Sequence, residues 1–125
     1  MKPIRHPEWL EPEPTGLTLL FGPTPLDLYR LDGLLWVTKD AVACALGGPV
    51  TRSGHWYTRN LTPWSTRIAW MPTSAGAWGS VRLLSLYGAQ ALARASTSPA
   101  AAAFVEWAEA HLTAADAPAG LRSWA

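Results

Sequence analysis

Residues 33–48 read GLLWVTKDAVACALGG, and the reading of this stretch decides the fold. An apolar run ends at Trp36-Val37, and Thr38 then offers a side-chain oxygen where a helix can begin. An apolar stripe of Val42, Cys44-Ala45 and Leu46 follows and runs into Gly47-Gly48. That order is strand, capped helix over 38–46 and glycine stop. A helix of about nine residues is marginal alone and must be held by packing.

Upstream, LTLLF (17–21) and LDLYRL (26–31) alternate as strands do, with Gly22-Pro23 as the break between them. Asp32-Gly33 is a strong hairpin turn leading into LLWV. Residues 1–16 carry four prolines without a period and read as a flexible arm. Downstream, GPVTRSGH (48–55) reads as a loop, and HWYTRNL (55–61) as a second short helix stopped by Thr62-Pro63. TRIAWM (66–71) and SVRLLSL (80–86) bracket the turn-forming PTSAGAWG and predict a second hairpin with a long tip. Two helices close the domain. One covers about 86–95. The other starts at Ser98 with Pro99 in first position, and puts Phe104, Trp107-Ala108 and His111-Leu112 on one face. The tail from 113 to 125 is expected to fray, leaving one domain over 17–112.

Composition agrees with a single domain. The chain has 125 residues, 49% of them hydrophobic, enough for one core. No stretch approaches the roughly 20 apolar residues of a membrane span. The start, MKPIRHPEWLEPEP, puts prolines and acids where a signal peptide needs an apolar core. A lone cysteine suits a reducing, cytoplasmic setting, and its place on the apolar stripe makes Cys44 an expected core thiol. Eight arginines to two lysines, with abundant alanine, is the usage of a GC-rich bacterial or phage genome.

The net charge of +1 hides an uneven distribution. Residues 1–32 set Lys2, Arg5 and Arg30 against Glu8, Glu11, Glu13, Asp27 and Asp32, a net −2. Residues 33–99 set Lys39, Arg52, Arg59, Arg67, Arg82 and Arg94 against Asp40 alone, a net +5. Residues 100–125 set Arg122 against Glu106, Glu109 and Asp116, again −2. A basic block between acidic flanks speaks of partners, with polyanions the obvious class.

Strand, short helix, loop, short helix and hairpin is the element order of a winged helix-turn-helix, whose brief first helix braces a second against nucleic acid. The reading element is then RSGHWYTRNL, with Arg52, His55, Tyr57, Arg59 and Asn60 able to reach phosphates or base edges. Arg67 and Arg82 lie on the two strands of the wing. A continuous basic face joining Arg52, Arg59, Arg67 and Arg82 would favour DNA.

WVTKDAVACALG (36–47) resembles the N-terminal signature of Bro-N domains, found in phage antirepressors and related viral proteins, with Trp36, Val42, Leu46 and Gly47 in register. Residues 81–107 are similar to that family's second signature: Gly88, Leu92, Ser96, Pro99, Ala101, Phe104 and Trp107 fall in place without a gap. The resemblance implies an α+β, winged-helix-like Bro-N domain with two β-hairpins and about four short helices. LTLLFG followed by DGLL is also similar to the opening of winged-helix DNA-damage-response proteins of radiation-resistant bacteria. Two departures bear on function. Where the family's last helix is basic, this chain has Ala102, Ala103, Val105 and Glu106, and the family's Lys-Asp pair aligns with Asp40-Ala41. Residues 48–65 align with nothing in the family.

Phe104 and Trp107, three apart, belong to a core face with Ala100 and Ala108, and Gly88 marks a close backbone approach. The expected centre is Trp36, Val42, Leu46, Leu83, Leu92, Phe104 and Trp107. Eight tryptophans exceed what such a core needs. Trp56, and Trp78 at the wing tip, are candidates for base stacking or wedging. The plainer alternative has Trp64 and Trp70 in the core and Trp78 as a protein contact. Trp9 and Trp124, in the tails, suggest docking onto the domain or a homodimer. His6, His55 and His111 are widely spaced, and no phosphate loop or nucleophile elbow is present, so no enzyme, metal or cofactor is expected. Two functions stay open: DNA binding, duplex or single-stranded, in a phage, prophage or stress-response system (nucleoid-associated in that case), or an antirepressor-like module that captures a protein partner without touching DNA. The arginine placement favours the first; the alanine-rich last helix favours the second.

Overall fold

Antiparallel pairing accounts for every ladder between the strands of the sheet. The computed structural model describes residues 10–47, 65–73 and 75–116. Its elements, in chain order, are β1 (Glu13–Phe21), β2 (Thr24–Leu31), β3 (Leu34–Thr38), α1 (Lys39–Ala45), β4 (Thr66–Pro72), β5 (Trp78–Leu84), α2 (Leu86–Ala95) and α3 (Ala101–Asp116). The five strands form one sheet in the order β1-β2-β3-β5-β4. The class is α+β.

Turn chemistry sets the register. Asp32 and Gly33 both have positive φ, 54° and 77°, so the two-residue turn pairs Leu31 with Leu34 as a type I′ hairpin. Gly22 at φ 57° precedes Pro23, which suits a II′ turn and pairs Phe21 with Thr24. β1 begins at Glu13, inside the segment expected to be an arm. An irregularity between Pro14 and Thr18 lets the strand carry Pro14 and Gly16, and the Thr15 hydroxyl ties it down by donating to the Leu28 carbonyl at 2.9 Å. Leu10 lies beyond β4, at the other end of the sheet: it bridges Ala69 in parallel, and Trp70 N donates to its carbonyl at 2.8 Å. The sheet therefore curls until its two outer strands are joined by one segment.

That curl produces two cores where the sequence suggested one. Alternation sends Leu26, Leu28, Leu35, Val37 and Leu84 toward the helices, where they meet Val42, Leu46, Leu92, Phe104 and Leu112. The intervening residues Leu31, Trp36, Ala69, Met71 and Leu83 face the other way and form a second cluster, with Leu10, Tyr29 and Val81 packed against it. Trp36 and Leu83, expected at the same centre as Phe104, belong to this second cluster. Trp107 is only partly buried; it and Phe104 meet Phe21 of β1 edge-on, at 5.4 and 5.3 Å between ring centroids.

Helix ends follow local chemistry. The Thr38 hydroxyl accepts from Ala41 N at 3.1 Å and opens α1; Ser85 does the same for α2 through Gly88 N at 3.1 Å. α3 starts at Ala101, after a turn in which the Ser98 hydroxyl accepts from Ala100 N. It continues to Asp116, past the expected fraying point. Cys44 is exposed, a correction to the expected core thiol. On a helix this short, Val42, Ala43, Ala45 and Leu46 already fill the inner face, and position 44 turns outward. No helix among the described residues is long and apolar enough to cross a membrane.

Candidate nucleic-acid interface

Of the candidate contact residues, Arg52, His55, Trp56, Tyr57, Arg59 and Asn60 lie outside the described residues, as does the expected helix 55–61. Arg67, Trp78 and Arg82 are described, all on the β4–β5 hairpin that was expected to be the wing.

The ladder places these three side chains. Arg67 pairs with Leu83 and Ile68 with Arg82, so Arg67 shares the face of Leu83 while Arg82 points to the opposite one. A continuous basic face joining Arg67 with Arg82, the arrangement that would have favoured DNA, is therefore not formed: an odd-numbered position on β4 meets an odd-numbered one on β5. Trp78 is not at the tip either. It is the first residue of β5, opposite Pro72, because Thr73 and Ala77 close the turn: Thr73 N and its hydroxyl both donate to the Ala77 carbonyl at 2.8 Å. Trp78 is half-buried on the side of Arg82.

Both hairpin arginines have partners within the domain. Arg82 donates to the Thr66 hydroxyl at 3.0 Å across the hairpin. Arg67 forms an ion pair with Asp32 at 3.0 Å, and its guanidinium carbon stands 6.0 Å from the centroid of the Trp36 ring. Trp36 is itself fixed, its indole N–H donating to the Leu31 carbonyl at 3.0 Å. Opposite Trp36 stands Tyr29, whose hydroxyl is pushed above the usual pKa of 10.0 by burial first and by the charge of Asp27 second. Asp32, thirty-five positions from Arg67, reads in sequence as a turn former and nothing more.

α2 carries groups that the sequence did not single out. Tyr87 is 72% exposed, and Arg94, near the end of the helix, lines an open crevice with Ala101, Ala102 and Val105 of about 380 Å³. Arg94 thus supplies a cation beside the alanine face of α3. Helical spacing, 87 to 94, could have revealed that the two share one side of α2. Across the α2–α3 contact, the buried Gln90 donates to the Val105 carbonyl and to Glu109, each at 3.1 Å. Among the described residues no group of three His, Cys, Asp or Glu side chains converges as metal ligands would.

No protein-family model, curated protein or solved structure matches this chain.

Proposed function

We propose that this chain is a nucleic-acid-binding module of winged helix-turn-helix, Bro-N-like type, in which α1 braces a second helix at 55–61 and the β4–β5 hairpin serves as the wing. The observation that carries the reading is charge: residues 33–99 hold a net +5 between two flanks of −2. The capped, packed α1 directly behind β3 has the length that a bracing helix needs. Arg52, Arg59 and Arg82 serve as phosphate contacts, His55, Tyr57 and Asn60 as contacts to base edges or phosphates, and Trp56 and Trp78 as stacking residues. Such a contact set binds DNA with little sequence preference. Titration of labelled duplex and single-stranded DNA over a range of salt tests it. Four to six phosphate contacts give a log–log slope of about −4 to −5. No binding of either form at low salt and micromolar protein overturns the reading.

The second reading is a protein-interaction module, and a specific observation favours it. Leu17 and Leu20 of β1 and Leu34 of β3 are 46%, 62% and 50% exposed. A repressor, or a second copy of this chain, is the kind of partner such leucines meet. Light scattering on the full chain distinguishes a homodimer from a monomer.

A further inference from the structure

The β2–β3 turn reaches β4 through a single ion pair, Asp32 to Arg67. We propose that Asp32 is a built-in competitor for Arg67, holding with its carboxylate the guanidinium that a backbone phosphate would otherwise take. The inference rests on the nucleic-acid reading above.

Three observations carry it. The Arg67 side chain is 33% exposed, so an external oxygen can reach the guanidinium without any rearrangement of the core. Its platform stays in place whichever anion is bound, because Trp36 is buried and anchored through its indole N–H to the Leu31 carbonyl. The Asp32 carboxylate is 60% exposed, so it can move into water and lose little. Carboxylate and phosphate oxygens suit the same guanidinium fork, so both compete for one site. A displaced Asp32 then remains as a negative charge beside the phosphate. It opposes binding twice, by occupancy and by repulsion, and only the first effect requires Arg67.

The experiment is a double-mutant cycle on the full chain, read by fluorescence anisotropy of a labelled duplex at several salt concentrations. Asp32→Asn keeps the turn, since Asn tolerates the left-handed φ of 54° as readily as Asp does. Arg67→Gln removes the charge and keeps part of the aliphatic stem over Trp36, and the neutral Arg67→Met replaces it should the glutamine variant melt early. D32N is expected to tighten binding about three- to tenfold at low salt and to steepen the salt slope by about one unit. In the R67Q background the same substitution should gain far less. Unchanged affinity in D32N, or an equal gain with and without Arg67, overturns the competition while leaving nucleic-acid binding intact. Absence of binding by all four proteins overturns the nucleic-acid reading and this inference with it.

Discussion

At the scale of single residues, Gly88 states the sharpest constraint. A Cβ at this position would collide with the Ser65 carbonyl oxygen, which already accepts from Ser85 N at 3.1 Å. Helix propensity alone would make Gly88→Ala stabilising by about 1 kcal/mol. The collision reverses the sign: a loss of about 1–3 kcal/mol is expected in urea unfolding, since backbone gives way less easily than a side chain. Phe104 is fully buried among Phe21 and the helix-side leucines. Phe104→Ala should cost about 3–5 kcal/mol, and a melting temperature within two degrees of the parent would contradict that burial. Tyr29 yields a pH effect. Its hydroxyl pKa is raised in the folded chain, so the unfolded chain ionises first. The stability this group contributes is whole below pH 10 and is lost as pH rises through the folded value. Tyr29→Phe should therefore flatten the alkaline limb of a stability–pH curve.

At the scale of elements, two tight turns and the Thr38 cap do most of the positioning. Thr38 ends β3 and opens α1 with one hydroxyl, so the strand and helix cannot separate without losing the cap. Thr38→Ala should lower stability by about 1 kcal/mol, visible as a drop of several degrees in the melting midpoint. These devices were legible in sequence because each depends on one or two neighbouring residues: Asp32-Gly33, Gly22-Pro23 and Thr38 each act over a few bonds. The start of β1 was not legible. Four prolines in sixteen residues look like an arm, and only pairing with β2, stabilised by Thr15, makes Glu13–Gly16 a strand. The orientation of the hairpin arginines was equally hidden. A shift of one residue in register exchanges the faces, and tip length, which sets register, was overestimated.

At the scale of the whole molecule, the proposed activity depends on charge arrangement more than on net charge. Arg82→Gln should weaken binding to all DNA sequences alike and flatten the salt slope by about one unit. Anisotropy titrations of two unrelated duplexes check both parts, and a sequence-dependent loss would instead make Arg82 a base contact. The amino-acid sequence by itself determined the α+β class, the strands β2 to β5, the helices α1 and α2, and Val42, Leu46, Leu92 and Phe104 as part of the helix-side core, because periodicity, caps and tight turns are local. It also determined the uneven charge, which is a matter of counting. Only the tertiary structure decided that the sheet curls to enclose a second core around Trp36, that Cys44 faces outward, and that Arg67 meets Asp32 while Arg82 points to the other face. The curl and the two arginine orientations are relations between residues distant in the chain, set by sheet register and curvature, which no local pattern of residues encodes; Cys44 turns outward because packing assigns the inner face of α1 to Val42, Ala43, Ala45 and Leu46.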